Sequence, residues 1–214
     1  NLGLDLDRYL CVKQGCPGLR DEYGFKQGDI LVGIVGRLVP IKNHGMLVDA
    51  AYELKNILDR ATYEKVKFVI IGDGPEKESI QDKIKGYALD NFYFTGWIKN
   101  VEDAYAGLDI ICLTSNNEGT PLSVIEAMAS SKPVIATDVG GVKDVISGGG
   151  IMVPAGGYKQ LAIELKKLIA DPKLRMDMGE AAAGFVKMKY SKNRLVRDIE
   201  ELYMKLLDKK GIKA

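Results

Sequence analysis

Between residues 30 and 153, short apolar runs alternate with longer stretches of helical period, and this constrains the fold more than any other feature of the sequence. Candidate strands fall at residues 30–36, 66–71, 91–95, 109–113, 133–136 and 151–153, most of them rich in Val and Ile. A strand buried on both faces reads as a continuous apolar run, as in a parallel sheet covered by helices. Helices are expected at residues 44–58, 75–89, 101–106 and 121–130, with Gly or Pro punctuating several ends. The pattern predicts an α/β fold, a Rossmann-like doubly wound parallel sheet of about six strands. The Gly148-Gly149-Gly150 run reads as a tight turn before the last strand. From residue 158 to 207 only amphipathic helices follow, broken at Asp171-Pro172 and at Ser191, where Pro at a first helical position and Ser at an N-cap are natural starts. A C-terminal helical tail is therefore expected.

Charge and cysteine content exclude several functions. The 30 basic and 29 acidic residues nearly cancel, which removes the broad positive field that nucleic-acid binding needs. Any anion site must be local. Three cysteines, Cys11, Cys16 and Cys112, form no Cys-x-x-Cys pair and disfavour both a disulfide framework and a zinc site. Cys112, in an apolar strand, is expected to be buried and inert. No apolar run approaches a membrane span, and residues 1–10 lack the character of a signal peptide. A cytoplasmic setting is expected. The basic end, Lys205 to Lys213, reads as a solvated helix end, with peripheral contact to an anionic membrane as the alternative.

Ligands of open parallel sheets bind beyond the carboxyl ends of the strands, so the loops after those ends carry the argument. The first reads Gly36-Arg37-Leu38-Val39-Pro40-Ile41-Lys42-Asn43-His44, two cations before a helix for which Asn43 is the expected N-cap. A planar guanidinium fork and a mobile ammonium suit a phosphate, at about 1.5 to 3 kcal/mol for each charge-assisted bond. Solvated surface charge is the plain alternative. The loop has no Gly-x-Gly-x-x-Gly, which argues against a dehydrogenase.

After the fourth strand comes Ser115-Asn116-Asn117-Glu118-Gly119-Thr120-Pro121-Leu122-Ser123-Val124-Ile125-Glu126. Thr120 is expected as N-cap and Pro121 as first helical residue, leaving the Leu122 and Ser123 amides to bind an anion at the positive end of the helix, with Gly119 allowing close approach. Glu118 and Glu126 flank that point. Carboxylates accept bonds from sugar hydroxyls, so one can hold a ribose and the other a hexose across a diphosphate. The alternative is that Glu near a helix start serves the helix dipole alone.

The Glu118 to Glu126 segment, with seven residues between the carboxylates, resembles the E-x7-E motif of retaining GT-B glycosyltransferases of family 4. Other motifs agree in order: Gly33 to Leu38 followed by Lys42, Gly72-Asp73-Gly74-Pro75, Phe94-Thr95-Gly96, residues 132–137 and Gly140-Gly141. The resemblance spans residues 30–207. Two departures stand out: Thr120-Pro121 where the family often has Phe-Gly, and Ser131 where it usually has Gly.

The resemblance implies that Arg37 and Lys42 bind the donor diphosphate, Glu126 the ribose and Glu118 the transferred sugar. Gly36 and Gly72 belong to the strand-end loops of the donor site, the backbone of Gly119, Thr120, Pro121, Leu122 and Ser123 caps the phosphates, and the segment after Gly96, with Trp97 and Ile98, meets the base. It also implies a UDP-sugar as substrate, no cofactor or metal, and a glycan or lipid-linked acceptor. Residues 1–29, which lack an initiator Met, are read as the passage from an absent N-terminal domain, and residues 30–214 as the donor domain. The isolated chain is then expected to bind donor and transfer almost nothing. A nucleotide-sugar epimerase of the same architecture and a nucleotide-binding module without catalysis remain as alternatives. His44, the sole histidine, reads as packing or capping, and Trp97 as partial core unless it stacks on a base or sugar.

Overall fold

The computed structural model describes residues 2–10 and 18–210; Cys11, Cys16 and residues 211–214 of the basic end lie outside them. Six parallel strands form one sheet: β1 (Ile30–Val35), β2 (Val66–Ile71), β3 (Phe92–Gly96), β4 (Ile110–Leu113), β5 (Val134–Thr137) and β6 (Ile151–Val153). Their order is β3-β2-β1-β4-β5-β6, so the chain reverses its direction of travel between β1 and β4. The helices are α1 (Asp7–Leu10), α2 (Leu19–Glu22), α3 (His44–Ile57), α4 (Arg60–Tyr63), α5 (Lys77–Gly86), α6 (Val101–Gly107), α7 (Leu122–Ala129), α8 (Val142–Ile146), α9 (Tyr158–Ala170), α10 (Pro172–Tyr190) and α11 (Lys192–Lys209).

Successive side chains on each strand enter opposite cores. Val32 and Ile34 of β1, Phe68 and Ile70 of β2, and Ile110 and Cys112 of β4 pack with α3, α5 and α9. Leu31, Val69, Ile71, Ile111 and Leu113 pack on the other face with α1, α6, α7, α8 and α10. Strands apolar at every position follow from this double covering. Cys112 is buried and its thiol is pushed upward by that burial, which keeps it protonated and unreactive.

Each expected strand is present, with ends shifted by no more than one residue. The C-terminal helices start where the caps place them: Asp171 accepts a bond from the Leu174 amide at 2.9 Å, with Pro172 next, and Ser191 accepts from Arg194 at 3.3 Å. Three local expectations fail. Asn43 precedes α3 in a left-handed conformation, φ 45°, and its side chain makes no cap bond. The helix expected at residues 75–89 spans only Lys77–Gly86, ended by a turn through Ala88 at φ 48°. Pro121, with ψ 98°, is the N-cap of α7 and not its first helical residue, so Thr120 lies one position outside the helix.

Candidate functional site

At the point where strand order reverses, two neighbouring parallel strands send their loops to opposite sides and leave a crevice. Here it lies between the loop after β1 and the loop after β4. The two loops are tied together. The Asn116 amide donates to the Ile41 carbonyl at 2.8 Å, the Thr114 hydroxyl to the Lys42 carbonyl at 3.0 Å, and Asn43 Nδ2 to Asn116 Oδ1 at 3.1 Å. Asn43 thus spends its side chain on the opposite loop, which accounts for its failure to cap α3.

This bracing presents Lys42 to Glu118: Lys42 Nζ donates to Glu118 Oε1 at 2.6 Å, and the buried Ser115 hydroxyl donates to the same oxygen at 2.6 Å. Two glycines press on the Glu118 backbone from below. Gly140, at φ 49°, has no room for a side chain, since a Cβ there would lie 1.9 Å from the Glu118 carbonyl oxygen, and the Gly141 amide donates to that oxygen at 3.1 Å. Arg37 is different. Its guanidinium is exposed and has no ion pair or side-chain hydrogen bond among the described residues. Opposite it, the first amides of α7 to find intrahelical acceptors are those of Val124 and Ile125, both on the Pro121 carbonyl, so the Leu122 and Ser123 amides stay available at the positive helix end.

Glu126 lies one turn further along α7 and is held from behind. The phenol of Tyr105, fully buried on α6, sits 3.1 Å from Glu126 Oε2 and 3.2 Å from the Ser123 carbonyl. Tyr9 of α1 stacks edge-on against Tyr105 at 6.0 Å and lies near enough to the Glu126 carboxylate to feel its charge. Burial first, and then the Glu126 charge, push both phenols above the usual tyrosine range. Both therefore remain protonated donors throughout the physiological range.

One cleft of about 570 Å³ gathers these parts, lined by Val35, Gly36, Arg37, Lys42, Ile71, Trp97, Ile98, Lys99, Val101, Glu118, Thr120, Leu122, Ser123 and Glu126. Cations, carboxylates, a helix N-terminus and an exposed indole face the same space, an arrangement suited to an elongated polyanion bearing hydroxyls and an aromatic group. A second hollow of about 590 Å³ lies at the amino ends of the strands, among Tyr23, Phe25, Lys65 and Tyr93, remote from these loops.

The sequence model described as glycosyl transferases, group 1, matches residues 17–185. The chain belongs to this family. It is 28% identical over 211 residues to N-acetyl-alpha-D-glucosaminyl L-malate synthase of Bacillus anthracis, covering 96% of this chain and 54% of that protein. Among solved structures it resembles the C-terminal domain of a group 1 glycosyl transferase, LpcC, from Francisella tularensis, at TM-score 0.73 and 28% identity, covering 88% of this chain and 99% of that one. Anabaena Alr3699/HepE in complex with UDP and glucose has the same fold, with TM-score 0.80 and 22% identity over 94% of this chain and 55% of that one. The chain spans about half the length of the curated relatives it matches.

Of the residues singled out from this group 1 transferase sequence, Gly36, Arg37, Lys42, Trp97, Ile98, Glu118, Thr120, Leu122, Ser123 and Glu126 meet along the cleft. Gly72, Gly96, Gly119 and Pro121 do not line it. Gly72, at φ 133°, packs beneath the Gly36 carbonyl and donates its amide to Gly96 at 2.9 Å, so these two glycines shape the floor of the strand-end loops. Pro121 is buried as the cap of α7. Trp97 is not partial core: it is 67% exposed at the cleft. His44 is buried, with both ring nitrogens lacking a hydrogen-bond partner among the described residues, and burial followed by the Lys42 charge lowers its pKa to about 4. A neutral packed ring results. Sequence reasoning missed Ser115, Tyr105 and Tyr9, whose partners become apparent only once the chain is folded.

Proposed function

We propose that this chain is the donor-binding half of a retaining, metal-independent family 4 glycosyltransferase that moves a hexose from UDP to a glycan or lipid-linked acceptor. The observation that carries the reading is the convergence of Arg37, Lys42, the α7 N-terminus and two carboxylates on one cleft at the switch point. In this reading the diphosphate lies across Arg37, Lys42 and the Leu122 and Ser123 amides, the ribose meets Glu126, the hexose meets Glu118, and the base lies near Trp97 and Ile98. A structural neighbour bound to UDP and glucose supports that nucleotide.

The bond from the anomeric carbon to the diphosphate oxygen breaks as the acceptor oxygen bonds the same face, and the acceptor proton passes to the departing phosphate. Negative charge grows on that phosphate, and the fixed cations and helix amides stabilise it. A companion domain supplies the acceptor site. The uncovered apolar side chains of α11, among them Ile199, Leu202, Tyr203 and Leu206, offer it a seat.

Calorimetric titration with UDP, GDP and ADP tests the donor site. Arg37→Ala and Lys42→Ala should each weaken the preferred nucleotide by roughly tenfold or more, on the scale of one charge-assisted bond. Unchanged affinity in both variants would remove the basic loop from the site. Transfer by the two-domain protein should persist in chelator with the donor's anomeric configuration kept; metal dependence or an inverted product overturns the mechanism.

A further inference from the structure

We infer that Tyr105 and Tyr9 are positioning residues for Glu126, Tyr105 holding one carboxylate oxygen so that the other faces the cleft and Tyr9 supporting the pair from beside the Tyr105 ring. The inference rests on the reading that Glu126 holds the ribose. Its geometry is specific: Tyr105 is wholly buried, yet its hydroxyl lies 3.1 Å from Glu126 Oε2 and 3.2 Å from the carbonyl of Ser123, whose own amide is one of the two available in the first turn of α7. A carboxylate oxygen turned against a buried ring and left without a donor would lose its water with nothing in return. The Tyr105 hydroxyl replaces that water.

Tyr9 arrives from α1, outside the sheet, 3% exposed and edge-on to the Tyr105 ring. Arg8 donates to its hydroxyl at 2.7 Å, and the Arg8 guanidinium lies 4.8 Å from the Tyr9 ring centre. The second phenol is therefore oriented by its own neighbour while it faces Glu126. A planar carboxylate pinned at one oxygen presents the other in a narrow range of directions, which is what paired vicinal hydroxyls require.

The test is a comparison of uridine diphosphate with its 2′,3′-dideoxy analogue by calorimetry, in the wild type, Tyr105→Phe, Tyr9→Phe and Glu126→Ala. The wild type should prefer the ribose form by roughly tenfold or more, the value of a hydroxyl–carboxylate contact. Tyr105→Phe should reduce that preference to about threefold or less while leaving affinity for the dideoxy analogue within about twofold. Tyr9→Phe should give the same pattern more weakly. Equal weakening of both ligands would reveal a merely structural role, and a full preference in both Phe variants would show the phenols to be idle; either result overturns the inference. If Glu126→Ala keeps the wild-type preference, or the wild type has none, it is the ribose reading that fails. The phenols are then judged by the crystal structure of Tyr105→Phe: a displaced or split Glu126 carboxylate supports them and an unmoved one overturns them.

Discussion

Lys42 Nζ and Glu118 Oε1 lie 2.6 Å apart, joining across 76 positions of sequence a cation suited to phosphate and a carboxylate suited to sugar. The cleft thus neutralises part of its own positive charge, while Arg37 has no ion pair among the described residues. Removing the carboxylate should release Lys42 for the diphosphate. Glu118→Gln is expected to bind bare UDP roughly fivefold more tightly, about 1 kcal/mol for relief of one like-charge neighbour, while transfer by the two-domain protein falls. Calorimetry and turnover read the two effects separately; weaker UDP binding by the variant contradicts the argument.

His44 predicts a pH dependence of stability. Its folded pKa is about 4 against 6.5 for a free imidazole, because the ring is buried beside Lys42. Between pH 6.5 and 4 the unfolded chain binds a proton that the folded chain refuses, so stability from this residue falls as pH falls through that window and is level above it. The full effect is about 3 kcal/mol. Among the described residues neither ring nitrogen has a partner, so His44→Leu strands no polar group. Urea midpoints of His44→Leu should match or exceed the wild type at pH 7 and lose most of the slope between pH 6.5 and 4.

Gly140 supports the Glu118 loop from beneath at φ 49°, with a Cβ position only 1.9 Å from the Glu118 carbonyl oxygen. Gly140→Ala combines left-handed strain with a backbone clash, and is expected to cost about 2 kcal/mol or more and to weaken UDP binding as the loop shifts. Gly184, inside α10 with open space at its Cβ, is the control. Gly184→Ala should raise stability by about 0.5 to 1 kcal/mol in thermal melts and leave UDP affinity unchanged.

The sheet was readable because parallel strands buried on both faces admit little besides Val, Ile and Leu, as Leu31 to Ile34 and Phe68 to Ile71 illustrate. The short helices α1, α2, α4 and α8 escaped, since four or five residues hold too little of a 3.6-residue period to register. Within the site, Arg37, Lys42, Glu118 and Glu126 stood out because strand-end loops are few and charge in them is conspicuous. The pairing of Lys42 with Glu118 did not, because it depends on cross-loop bonds such as Asn116 to Ile41. Tyr105 looked like an ordinary core aromatic, and nothing in its local sequence tied it to a carboxylate 21 positions away.

Ser131 shows how a departure from a family pattern becomes a physical statement. It follows α7 at φ 55°; the Lys132 amide donates to the Ala127 carbonyl at 3.1 Å and the Ser131 amide to Met128 at 3.0 Å. That pair of bonds is a Schellman motif with Ser131 at its left-handed position, where glycine is free of Cβ strain. The exposed serine side chain makes no hydrogen bond among the described residues, so nothing offsets the strain. Ser131→Gly should stabilise the chain by about 0.5 to 1 kcal/mol, reduced somewhat by the greater freedom of glycine when unfolded. Residues 127–132 lie at the far end of α7 from Leu122 and Ser123, so UDP affinity should not change. Denaturant melts that show a loss, with affinity intact, would mean that the serine side chain compensates for its backbone.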